Sequence, residues 1–459
     1  MKKFRLESDS IGQREVPIDA YYGVQTLRAH ENFKINGIKA HPEFIKSIIE
    51  IKKAAAIANG NAGAIDKSIS DAMVTACDEI LSGKFVENFI VDAIQGGAGT
   101  SFNMNANEVV SNRAIEILGG EKGDYSIVHP NDHANCGQST NDVYPSAGKI
   151  ATIRLLQKVI SALEEFSLAI ENKAREFEGV IKMGRTEMQD AVPISFGQAF
   201  SAYAKAVRRD IKRFNEAISE LSVLNMGGTA IGTCITADKE YVKQIVPVLS
   251  SVTGLELSQA DNLIDSTQNL DCFVFVSGII KSCASTLSKM AHDLRLMSSG
   301  PRAGFAEINL PAKQNGSSIM PGKVNPVIPE VINQIAFNVI GNDTTITMAV
   351  EAGQLELNAL EPIIFYCLFE SLETIANGVR IFTKDCIEGL TVNKDVCTSE
   401  IEKSIGIVTS LCPFIGYTKA AKIAKQALRE NKNVRDILIE EKILSESELN
   451  ELLDPKKMI

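Results

Sequence analysis

The chain has 459 residues, 45% of them hydrophobic and 23% charged, with 32 Gly, 14 Pro and no Trp; these fractions exclude a disordered or collagen-like chain and leave ample length for a large buried core. The formal net charge is −10, and basic residues cluster no further than pairs such as Arg208-Arg209 and Lys456-Lys457, which excludes the electrostatic footprint of a nucleic-acid or anionic-membrane binder. An anionic ligand has to be held by local donors against that global field.

In chain order, residues 1–140 mix short helical segments with Gly- and Asn-rich loops, notably Gln95-Gly-Gly-Ala-Gly-Thr100 and His129-Pro-Asn-Asp-His133, and are expected to form a mixed, mainly helical N-terminal domain. Residues 141–395 carry long helical periodicity. Apolar side chains recur every three or four positions at Ile153, Leu156, Ile160, Leu163, Phe166 and Ile170, and again at Phe200, Tyr203, Val207, Ile211, Phe214, Ile218 and Leu221, each predicting a helix of about 20 residues or more. Two stretches, 271–297 and 329–350, are apolar on more than one side and are expected to pack against several neighbours. Such helices predict a long central bundle and, where one chain cannot cover them, a multi-chain helical core. Residues 396–459 predict a small helical C-terminal domain, in which Ser445-Glu-Ser-Glu448 before Leu449 fits a capping box opening a last short helix. Strand signal is weak throughout, so the fold class expected is mainly α, in three domains.

Nine Cys are scattered without Cys-x-x-Cys or Cys/His metal spacing, so reduced thiols, no metal site and a cytoplasmic location are expected. The longest uninterrupted apolar runs, such as 363–369, are too short to span a bilayer, and no apolar stretch follows the basic residues at the N-terminus. Only five His are present, which limits the groups available for acid–base work near neutral pH.

Four polar clusters interrupt the helical pattern: Gly96–Asn107, Gly137–Pro145, Met183–Pro193 and Gly316–Pro326. Each sets small hydroxyl and amide side chains beside Gly or Pro. One such cluster reads as a turn with capping residues; four together offer a carboxylate many neutral donors, with Lys323 as a fixed positive charge. Gly227-Gly-Thr-Ala-Ile-Gly232 fits a dinucleotide fingerprint only loosely, lacking a preceding strand and a following acidic residue, and reads as a helix-breaking loop. Walker and Gly-x-Ser-x-Gly patterns are absent.

The segment Gly316-Ser-Ser-Ile-Met-Pro-Gly-Lys-Val-Asn-Pro326 resembles the signature loop of the aspartase/fumarase superfamily, and the other clusters match that family's substrate-binding regions in the same order. The likeness runs from Arg5-Leu-Glu-Ser-Asp9 and Asp19-Ala-Tyr-Tyr-Gly-Val-Gln-Thr-Leu-Arg28 to Ser404–Gly416, essentially the whole chain. Tyr21-Tyr22-Gly23-Val24, Gly97-Ala98-Gly99-Thr100-Ser101, Ser139-Thr140-Asn141-Asp142 and Leu357–Pro362 resemble the aspartase branch; His129-Pro-Asn-Asp-His133 is more typical of fumarases.

This resemblance implies a cofactor-independent lyase acting on a small dicarboxylate, assembled as a homotetramer whose active sites are shared between chains. It implies reversible anti elimination of ammonia from aspartate to give fumarate; class II fumarase activity, or a non-catalytic binding protein on the same fold, are the alternatives. Thr100, Ser139, Thr140 and Ser318 would hold the carboxylate that becomes an enediolate-like dianion, Thr186, Lys323 and Asn325 the other carboxylate, and Asn141 the amine. Ser317 would be the base. Glu330 is expected to orient site groups or to pair on the surface, and His129 and His133 to structure their loop or, as in relatives, to line a secondary anion site. One departure stands out: Gly184-Arg-Thr-Glu187 carries Glu where many members carry His. Glu187 is expected beside the substrate ammonium, or else paired with Arg185 or a neighbouring chain.

Overall fold

The structure, a computed structural model, describes residues 4–452 and 454. Helices dominate it. The stripe from Ile153 to Ile170 lies in the helix Thr140–Glu176, that from Phe200 to Leu221 in Phe196–Leu221, and the two broadly apolar stretches form Asp271–Met297 and Val327–Glu351. The chain gathers into two compact units, each built from three separated stretches: one takes the chain up to Ile160, Lys212–Ser282 and Asn338–Thr374, the other Ser161–Ile211, Cys283–Phe337 and everything from Ile375 on.

The first unit is organised around buried rings. Phe44 lies 4.9 Å, centroid to centroid, from both Phe102 and Tyr144, and Phe273 meets Phe365 edge-on at 5.0 Å, the geometry that ring quadrupoles favour. Gly99 abuts this cluster. It caps the helix Thr100–Ile117 with φ 87°, and a Cβ there would collide with the Tyr144 ring, so only glycine lets the helix begin at Thr100 in this place.

In the second unit Phe166 stacks on Phe382 at 5.1 Å, and the Tyr203 hydroxyl donates to Asp293 Oδ2 at 2.6 Å. Ile407, Leu411, Ile423, Ile437, Leu438 and Leu449 form a separate C-terminal core that also takes in Met183. Its last helix, Glu446–Leu452, opens with the capping box that the sequence predicts: Glu448 N donates to Ser445 Oγ at 3.3 Å, and Ser445 N to the Glu448 carboxylate at 2.8 Å.

Two findings depart from the pattern reading. The third polar cluster is an antiparallel hairpin, Ile181–Thr186 against Gln189–Ser195. An irregularity between Met183 and Arg185 breaks its register, which removes the two-residue alternation by which a strand is recognised. Secondly, the Asp271–Met297 helix is long and apolar enough to cross a bilayer by length and composition; counting uninterrupted apolar runs overlooks it. Its most apolar window is 50% buried within the chain, with Phe273, Val276, Ile280 and Leu287 in the core, as befits a core helix.

Candidate active site

Within the first unit, the second cluster is the start of the helix Thr140–Glu176 and is closed by its own capping box. Asn141 N donates to Ser139 Oγ at 3.2 Å while Ser139 N donates to Asp142 Oδ1 at 2.9 Å, so Ser139 caps the helix and Asp142 reaches back to it. The other Asp142 oxygen accepts from Gly227 N at 3.1 Å and Thr229 N at 3.0 Å. The 227–232 loop is therefore a clamp on this helix start. It also fixes Asn141, whose Nδ2 donates to the Ala230 carbonyl at 2.7 Å. One of its two N–H donors is thereby committed, and Oδ1 remains an acceptor, the kind of group an ammonium requires. Asp142 is fully buried, and burial pushes its carboxyl up to about 6 against the pull of three backbone amides and Lys52.

Thr140 is buried, and its Oγ1 accepts from Asn103 Nδ2 at 3.2 Å. Asn103 lies on the helix opened by Thr100, so the first and second clusters are tied together by side chains; Thr100 itself is exposed. His129 Nδ1 accepts from the amides of Asn131 and Asp132, both at 3.2 Å, and His133 Nδ1 from His129 N at 2.8 Å. Both imidazoles structure their loop.

The third cluster belongs to the second unit. Glu187 and Met188 have φ of 53° and 65°, the two left-handed residues of a tight hairpin turn, and Thr186 and Glu187 are exposed at its tip. Arg185 is engaged elsewhere: it donates to Glu307 at 2.7 Å and to Glu400 at 2.9 Å. Pairing of Glu187 with Arg185 is thereby ruled out within the chain. Lys182 also reaches Glu307, at 3.1 Å. Glu307 is fully buried, and the Glu400 carboxyl is raised by burial and by the neighbouring Glu307 charge. These ion pairs fasten the base of the hairpin. Glu307→Ala strands the Lys182 charge and leaves Arg185 with Glu400 alone, and is expected to cost about 3 kcal/mol, read as a lower melting temperature and denaturant midpoint.

The fourth cluster, also in the second unit, is a loop drawn shut at its neck. Gly316 N donates to the Lys323 carbonyl at 2.9 Å and Asn325 Nδ2 to the Gly316 carbonyl at 3.4 Å. A Cβ on residue 316 would collide with the Lys323 carbonyl, so glycine is required by close approach. The half-buried Ser317 Oγ accepts the amide of Ile319 at 3.2 Å. Ser318 and Lys323 are exposed, and Lys323 makes no ion pair among the described residues. Lys323 and Asn325 line an open cavity of about 520 Å³ together with Glu330, Arg295 and His292. Glu330 pairs with Arg295 at 3.9 Å. Among the described residues, no three His, Cys, Asp or Glu side chains group as metal ligands.

The lyase family model matches residues 12–341 and that of the fumarase C C-terminus residues 407–459. The aspartate ammonia-lyase of Bacillus subtilis is 52% identical over 457 residues, a match covering 100% of this chain and 96% of the relative. The chain belongs to the aspartase/fumarase superfamily. Solved structures agree: a fumarate lyase:delta crystallin from Brucella melitensis has a TM-score of 0.97 at 48% identity, and a class II fumarase from Schistosoma mansoni 0.96 at 34% identity, each match covering 99% of both chains.

Seen as a superfamily member, the chain has supporting residues that motif reading overlooked. Lys52, Asn135 and Glu307 anchor the clusters or sit beside them from outside, and Asn103 and Asp142 lie within the clusters with partners distant in sequence. Two signals were available. Ser139-x-x-Asp142 is a capping-box pattern, and Lys52 shares a helix face with Ile48, Ile49, Ala56 and Asn59, which marks it as a buried cation.

Proposed function

We propose that the chain is an aspartate ammonia-lyase. It removes ammonia from L-aspartate, reversibly and in the anti sense, to give fumarate. Full-length identity of 52% to a relative of that activity, with all four polar clusters present, carries this reading.

The hydrogen to be removed lies next to a carboxylate and is barely acidic, because its departure places a second negative charge on that group. Thr100, Ser139, Thr140 and Ser318 converge on it as neutral donors; their hydrogen bonds strengthen as charge develops and cost less to desolvate than a buried cation. Thr186, Lys323 and Asn325 hold the other carboxylate, and Asn141 Oδ1 receives the ammonium. Ser317, as the alkoxide, takes the proton; the Ile319 amide already directed at its Oγ supports that charge, and closure of the loop over substrate keeps water out. Glu187 stands beside the ammonium and keeps it protonated, so that it leaves as neutral NH₃. No cofactor takes part.

The active unit is a cytoplasmic homotetramer whose sites combine clusters from different chains. Its support is the large apolar side chains left exposed on the long helices, among them Phe275 (49%), Phe337 (59%) and Met348 (67%), side chains of the kind that an oligomer interface covers. The cysteines, none of them in a disulfide, suit a reducing compartment.

The test is ultraviolet detection of fumarate. Aspartate-dependent signal is expected and malate-dependent signal is not; the reverse result makes the chain a fumarase, and neither signal a binding protein. In the same assay Glu187→Gln is expected to lower kcat/KM for aspartate about tenfold, the worth of one partly solvated ion pair, and to leave the response to malate unchanged. Wild-type kinetics on aspartate would take Glu187 out of the site.

A further inference from the structure

The first unit buries a cation that the reaction does not use. Lys52 is fully buried on the helix Pro42–Ala62, and its ammonium donates to Gln138 Oε1 at 2.8 Å and to Asn135 Oδ1 at 3.1 Å. Asn135 Oδ1 also accepts from Asn103 Nδ2 at 3.1 Å and Asn107 Nδ2 at 3.2 Å, while Asn135 Nδ2 donates to the Gln138 carbonyl at 3.1 Å. Asn103 Nδ2 then donates to Thr140 Oγ1.

The direction of this chain matters. An amide side chain can face a neighbour with either its oxygen or its NH₂, and a hydroxyl can donate or accept, so a network of amides and hydroxyls has no inherent polarity. Burial draws the Lys52 ammonium down to about 7 against the opposing pull of the Asp142 charge; in its protonated form the side chain is a donor only. Placed at the root, it compels Asn135 to turn its oxygen inward, which compels Asn103 to turn its NH₂ toward Asn135 and Thr140. The Thr140 hydroxyl is then an acceptor toward Asn103, and its own proton is free for another partner.

We propose that Lys52 is a positioning residue: through Asn135 and Asn103 it orders the Thr140 hydroxyl so that its proton is presented to the substrate carboxylate. The inference rests on the reading of Thr140 as a carboxylate ligand. Without the lysine, Asn103 can present its oxygen, and Thr140 spends its proton inside the protein. The carboxylate then loses one donor at the moment its charge grows.

Two measurements test this. In a double-mutant cycle, Lys52→Met is expected to lower kcat on aspartate about tenfold, and Lys52→Met/Thr140→Ala to match Thr140→Ala within about twofold, because the lysine acts only through the hydroxyl. Losses that multiply would overturn the proposal and leave Lys52 a packing residue. Neutron diffraction from the wild-type protein reads the same order without turnover or a variant that must fold. The Asn103 deuterons are expected toward Asn135 and Thr140, with the Thr140 deuteron directed away from Asn103; a Thr140 deuteron on Asn103 sinks the idea. A wild-type protein that orders Thr140 in this way yet yields no fumarate from aspartate would overturn the functional reading and leave the network intact.

Discussion

Ser317→Ala is expected to lower turnover of aspartate by about 10³-fold while leaving the affinity for a dicarboxylate inhibitor within a few-fold of wild type. The asymmetry follows from what the hydroxyl does. In the free protein Ser317 Oγ accepts one backbone amide, from Ile319, and as the proposed base it matters only when the proton moves. Its removal therefore costs transition-state stabilisation and little ground-state binding. The loop should survive, since its neck is closed by the main-chain bond from Gly316 to Lys323 and not by the Ser317 side chain. Steady-state kinetics together with inhibitor titration check both halves; turnover near wild type would end the assignment of Ser317 as base.

Lys323→Met is expected to act the other way, raising KM for aspartate about 100-fold, with a smaller effect on kcat. A protein of net charge −10 repels a dicarboxylate, and this lysine is the one fixed positive charge that the four clusters assign to it. Losing one partner of a charge pair that is desolvated in the complex costs about 2–5 kcal/mol. Stability should hardly change, because Lys323 is exposed and unpaired among the described residues. Lys323→Arg should rescue only in part, since a planar guanidinium does not reproduce the compact ammonium. Measuring KM and melting temperature together separates loss of binding from loss of fold.

The helices were legible because a buried helical face repeats every three or four residues, a local property. Asp271–Met297 and the capping box at Ser445–Glu448 emerge where the pattern puts them. The four clusters were legible for a similar reason: each is a short contiguous run in which turn residues and hydroxyls stand together. The hairpin at 181–195 was not, since its irregular register hides the alternation of strands. Nor was the fate of Arg185, which ignores its neighbour Glu187 for Glu307 and Glu400, 122 and 215 residues away in sequence.

Composition, helical periodicity and four short motifs thus determined by themselves the class of fold and the family, and singled out the side chains proposed to meet a substrate. Tertiary structure decided how those side chains are held. Asp142 finds its donors in a loop 85 and 87 residues further on, and Lys52 reaches Asn135 and Gln138 across 83 and 86 residues. The physical reason is the cost of burying a polar group without a partner. That cost is met only when the whole chain has folded, by whichever donor or acceptor the packing brings close, and no local pattern records which one it will be.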